Sequence, residues 1–99
     1  MRKYHEHIDH LEGDGQLIKE GMPPIQVSYE LDISQEFLEP WPGAQRSLGL
    51  KNSTGIVFRL DERQLGYLQN QDLTLVLEDG SRWIISIDIT GTIIDGRPA

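Results

Sequence analysis

Apolar and polar residues alternate through much of this chain, the signature of half-buried strands. The clearest run is residues 25–34. Ile25, Val27, Tyr29, Leu31 and Ile33 fall on one face, and Gln26, Ser28, Glu30, Asp32 and Ser34 on the other. That pattern predicts an antiparallel strand with one wet face. It is expected to bend over residues 35–38 and to stop at Glu39-Pro40-Trp41-Pro42-Gly43, because proline cannot donate to a ladder.

Residues 73–88 predict a hairpin turning at Glu78-Asp79-Gly80. A two-residue loop would set Leu73, Leu75 and Leu77 on the same face as Arg82, Ile84 and Ser86, mixing the faces. A three-residue loop with Gly80 in the left-handed position shifts the pairing by one. Leu73, Leu75 and Leu77 then share a face with Trp83, Ile85 and Ile87, and this is the register the pattern selects. The inward series Trp83, Ile85, Ile87, Ile89 and Ile93 passes through Gly91, which predicts a bend or bulge within one strand.

Between these strands, Leu48 and Leu50 predict a short strand, and residues 51–55 a turn. A further strand is expected over residues 56–60, with Ile56, Phe58 and Leu60 inward and Val57 and Arg59 outward. Asp61 then reads as a helix N-cap, with Gln64 completing a capping box and Leu60 and Leu65 a hydrophobic staple. Gly66 and Asn70 limit that helix to one or two turns.

Residues 1–14 show no apolar period and predict a flexible N-terminal segment. Gly13-Asp14-Gly15 reads as a turn, and residues 16–20 as a weak first strand. Residues 15–95 form one small domain, and 96–99 a loose tail. The fold class is all-β with one short helix: a small, strongly bent antiparallel sheet forming a barrel or sandwich.

Composition narrows the function classes. The 99 residues suffice for one modest core. A net charge of −7, with scattered Lys and Arg, argues against nucleic-acid binding. There is no cysteine, and no apolar run long enough for a membrane span or signal core, so a cytoplasmic location is the default expectation. No catalytic set or phosphate loop can be read, so an enzyme is the less favoured class and no cofactor is implied.

Three features bear on binding. His5, His7 and His10 are the metal-type ligands of the N-terminal segment, but no regular strand or helix collects all three, so only adventitious nickel or zinc binding is expected. Trp41, stiffened by flanking prolines, can anchor a partner or fold back as a plug over a barrel end. The lean core favours the plug. Arg46 lies near enough to stack on the indole or meet an anion.

At Asn52-Ser53-Thr54-Gly55 the layout of polar turn, strand and late hairpin resembles a PilZ domain, a cyclic-di-GMP receptor. That family carries an Asp/Asn-x-Ser-x-x-Gly turn and an Arg-x-x-x-Arg arm. Here the turn is compressed, and Arg59 and Arg63 have the arm's spacing but follow the turn. The resemblance implies an anion or small-molecule receptor using Arg46, Arg59 or Arg63. The leading expectation is a non-enzymatic binding or accessory module making protein contacts. A homodimer is expected through the edge of the 25–34 strand, whose outer face carries only Glu30 and Asp32 as charges.

Overall fold

Leu75 pairs with Trp83 and Leu73 with Ile85, so the 73–88 hairpin takes the register that keeps its large residues on one face. Leu77 donates its amide to the Ser81 carbonyl across Glu78-Asp79-Gly80, and Gly80 stands at φ +85°. Leu73, Leu75, Leu77, Trp83, Ile85 and Ile87 are all buried.

The computed structural model describes residues 2–45 and 47–99. Its strands are β1 (Arg2–Ile18), β2 (Ile25–Glu39), β3 (Ser47–Phe58), β4 (Leu73–Val76), β5 (Arg82–Ile87) and β6 (Thr92–Pro98), with one helix, α1 (Glu62–Leu68), between β3 and β4. All pairings are antiparallel, and the strands close in the order β1–β2–β3–β6–β5–β4. The expected fold class is therefore observed. Register shifts in the β3–β6 and β5–β6 pairs supply local bending within the closed ring, while those at His7/Asp9 and Gln35/Phe37 fall where the long strands run past it.

Helix α1 begins as its sequence predicts. Asp61 accepts from the Gln64 amide at 2.7 Å while the Gln64 side chain accepts from the Asp61 amide. Leu68 is buried, and Leu60, Leu65 and Met22 pack against the core beside it. The helix lies at the barrel end shared with the β1–β2 and β5–β6 connections.

Several segments differ from expectation. Residues 2–14 are strand, paired with β2 from Arg2 opposite Glu39 through Asp14 opposite Ser28. Their pattern is silent because both faces of much of this stretch are wet, while the backbone ladder forms whatever the side chains. Gly13-Asp14-Gly15 belongs to that strand. A side chain at Gly15 would collide with the Val76 carbonyl, and one at Gly13 would stand 2.9 Å from the Tyr29 hydroxyl. These glycines let β4 and the Tyr29 ring approach, and the Tyr29 hydroxyl accepts the Glu78 amide at 3.1 Å.

Residues 51–55 are not a turn but the middle of β3. The pairing with β2 sets Val57 opposite Tyr29, Gly55 opposite Leu31 and Ser53 opposite Ile33. Because β2 fixes which face is inward, Val57 is buried and Phe58, 41% exposed, points out. This reverses the expectation for Val57 and Phe58, whereas Leu60 packs against the core and Arg59 is exposed, as expected. Gly91 ends a turn: Asp88 donates its amide to the Thr92 carbonyl, so Ile89-Thr90-Gly91 repeats the geometry of the first hairpin loop. Ile89 sits on that loop, 51% exposed, rather than inward. The expected loose tail is paired too, because β6 runs to Pro98 opposite Trp83.

The strands differ greatly in length. β1 joins β4 only over Gln16–Ile18, and the β3–β6 ladder covers only Ser53–Ile56. The remainder of β1, β2 and β3 runs past the barrel as a three-stranded arm, giving extents of 50 × 25 × 21 Å.

Candidate functional site

The far end of the arm is the turn between β2 and β3. Two prolines keep Trp41 out of the ladder, and Ala44 donates its amide to the Trp41 carbonyl at 3.0 Å. Trp41 is 65% exposed, so it does not plug the barrel. The indole at the arm-side end of the core is instead Trp83, second residue of β5 and 6% exposed. Leu48 and Leu50 on β3 are also exposed, at 71% and 75%. Tyr4 and Phe37 stack across β1 and β2 with ring centroids 5.7 Å apart. Arg46 lies outside the described residues.

The other two arginines take separate neighbours. Arg59, in a left-handed backbone at φ +73°, reaches to 3.9 Å from the Asp14 carboxylate. Arg63 lies on α1 beside a shallow cleft lined with Met22, Gln64 and Tyr67. Asn52, Ser53, Thr54 and Gly55 lie within β3, so the turn of the PilZ-like layout is not formed.

Two of the three N-terminal histidines are brought together. A bulge in β1 between His7 and Asp9 inserts Ile8, so the alternation resumes one residue out of phase. His7 and His10 therefore reach the same side of the sheet. His10 Nδ1 lies 2.8 Å from Asp32 Oδ1, and His7 Nε2 lies 3.2 Å from the same oxygen. The second ring nitrogen of His10 is 3.3 Å from Glu12 Oε1. His5 stays apart, opposite Glu36. The hydrogen bond to Asp32, then that to Glu12, raises the His10 pKa above its ordinary value, and the His10 bond lowers that of Asp32.

Glu12 and Glu30 face each other directly across β1 and β2. The outer-face charges Glu30 and Asp32 can be read from the alternation of the 25–34 strand, but their meeting with His10 and Glu12 cannot, because it depends on the register and the bulge. The available signal was Ile8, an apolar residue isolated in a polar run.

Edges complete the description. From Ser28 onward β2 is paired on both sides, so residues 28–34 of the expected edge strand are interior. Among the described residues, the side of β1 away from β2 is joined only by β4, at Gln16–Ile18. The Asp14 amide is held by the Glu78 carboxylate at 3.1 Å, just beyond the end of the β1–β4 ladder. No helix among the described residues is long and apolar enough to cross a membrane.

No family model, curated protein or solved structure matches this chain.

Proposed function

We propose that this chain is a non-enzymatic binding module whose arm makes protein contacts, the partner being a second copy of itself docked along the β1 edge. The observation carrying this reading is that, among the described residues, β4 is the one strand joining this side of β1, and it does so over Gln16–Ile18 alone. Such an edge is a template for strand addition. Its charge runs from Arg2 and Lys3 at one end to Asp9 and Glu12 at the other. Antiparallel pairing with an identical strand sets the basic end of each copy against the acidic end of the other. Two-fold symmetry satisfies both edges at once. Ile8, 45% exposed, lies midway along this edge and would meet its counterpart near the axis.

Light scattering across a dilution series, with chelator present, tests the proposal. Twice the chain mass of 11.3 kDa is expected at high micromolar concentration. Ile8→Asp places two carboxylates at the axis and is expected to yield monomers with an unchanged circular dichroism spectrum. A monomeric parent chain, or a dimer that Ile8→Asp leaves intact, overturns the proposal.

A further inference from the structure

Glu12 and Glu30 are like charges directly opposite in a ladder, an arrangement that ordinarily costs stability. Beside them, His10 is directly opposite Asp32. One ligand atom from each of His10, Glu12 and Glu30 lies within 4.8 Å of the others. We propose that His10, Glu12 and Glu30 bind a divalent transition-metal ion of the zinc type on the outer face of the arm, with Asp32 as the carboxylate that orients the His10 ring.

The spacing suits such an ion. Ligands about 2.0–2.1 Å from a tetrahedral zinc stand about 3.3 to 3.4 Å from one another. The His10 Nε2 to Glu12 Oε1 distance is 3.3 Å, and small rotations of the exposed Glu12 and half-buried Glu30 side chains bring in the third ligand. In the neutral tautomer that donates Nδ1–H to Asp32, 2.8 Å away, the Nε2 lone pair is turned toward the carboxylates. This is the usual outer support of a metal-bound imidazole. The ligands are carried by paired strands rather than a loop, so the ladder fixes their backbone positions before any ion arrives. An imidazole nitrogen distinguishes the set from an acidic patch and favours zinc over calcium or magnesium. Three protein ligands leave a tetrahedral position open. It borders a cleft of about 420 Å³ lined in part by Glu12, Glu30, Ser28 and Phe58. The site does not depend on the self-association proposed above.

The test is calorimetric titration of zinc chloride into the full chain after chelator treatment and dialysis. One ion per chain is expected. His10→Gln and Glu30→Gln are each expected to weaken binding at least about tenfold, and Asp32→Asn by about 10- to 100-fold. His5→Gln is expected to leave it unchanged. Cobalt(II) in place of zinc is expected to give visible absorption of tetrahedral strength in the parent chain, a readout that needs no variant to fold. Zinc affinity unchanged in His10→Gln, displacement of zinc by equimolar calcium or magnesium, or absent tetrahedral cobalt absorption overturns the proposal. Any of these would mean an adventitious ion only.

Discussion

The barrel body and the arm use the same three long strands, yet a strand's surroundings change completely where it leaves the body. In the body, Val27, Tyr29, Leu31 and Ile33 of β2 meet Leu75, Trp83, Ile85 and Ile93 from across the barrel. In the arm the same ladder continues with little behind it, and Leu48 and Leu50 stand in solvent. Hydrogen bonding alone contributes little net stability per bond, whereas burial contributes much more. The body therefore holds the fold, and the arm is free to present a surface. Substitutions in the body are expected to act on unfolding, and those in the arm on association.

The sharpest separation comes from the two tryptophans. Trp83→Ala is expected to cost about 3–5 kcal/mol, enough to unfold so small a domain. Trp41→Ala, removing a side chain that is 65% exposed, is expected to change stability by less than about 0.5 kcal/mol. Denaturant midpoints of the two variants check this. Equal losses would erase the distinction between body and arm.

Gly15 tests the seam where the arm meets the body. A methyl group there would collide with the Val76 carbonyl, and ordinary contact could be regained only by separating β1 from β4. Gly15→Ala is expected to cost about 1–3 kcal/mol by overpacking. Faster hydrogen exchange is expected at the β1–β4 ladder. An unchanged denaturant midpoint would show that closure of the ring does not depend on this contact.

At Gly80 the cost is conformational, since nothing lies within 4 Å of an added methyl but φ is +85°. Gly80→Ala is expected to cost about 1 kcal/mol, read from the denaturant midpoint. This turn also marks how far the sequence was legible. Its register could be derived because only one pairing keeps Leu75 and Trp83 on one face. The Asp88–Thr92 connection has the same geometry and was missed, because Ile89 falls in phase with Ile85 and Ile87 and so imitates a continuing strand. The same error of phase misplaced Phe58: two large apolar residues suggested an inward face, while the β2 register assigned that face to Ser53, Gly55 and Val57. The arm was illegible for a different reason. A strand with two wet faces carries no alternation to read, and the bulge that gathers His7 and His10 is a property of pairing, not of spacing.

The smallest expected effect lies in the arm and concerns proton binding in the metal-free chain. Asp32 and Glu12 hydrogen-bond to His10, Glu30 stands opposite Glu12, and His7 shares the Asp32 carboxylate. With its pKa raised, protonated His10 contributes stability that is fully present below the unfolded pKa and is lost as pH rises through the folded one. Asp32, with its pKa lowered, contributes stability above its unfolded pKa that is lost as pH falls through the folded one. The pair is charged on both sides between the lowered Asp32 titration and the raised His10 titration. Solvent exposure keeps its effect on unfolding small, so the midpoint pH of the His10 ring protons is the better measurement. Nuclear magnetic resonance titration is expected to place it above the ordinary histidine value in the parent chain and lower in Asp32→Asn, because the Asp32 hydrogen bond is the largest cause of the shift. A midpoint that Asp32→Asn leaves unmoved would mean that the bulge at Ile8 does not aim His10 at β2, and the arm would then be a ladder without a defined outer face.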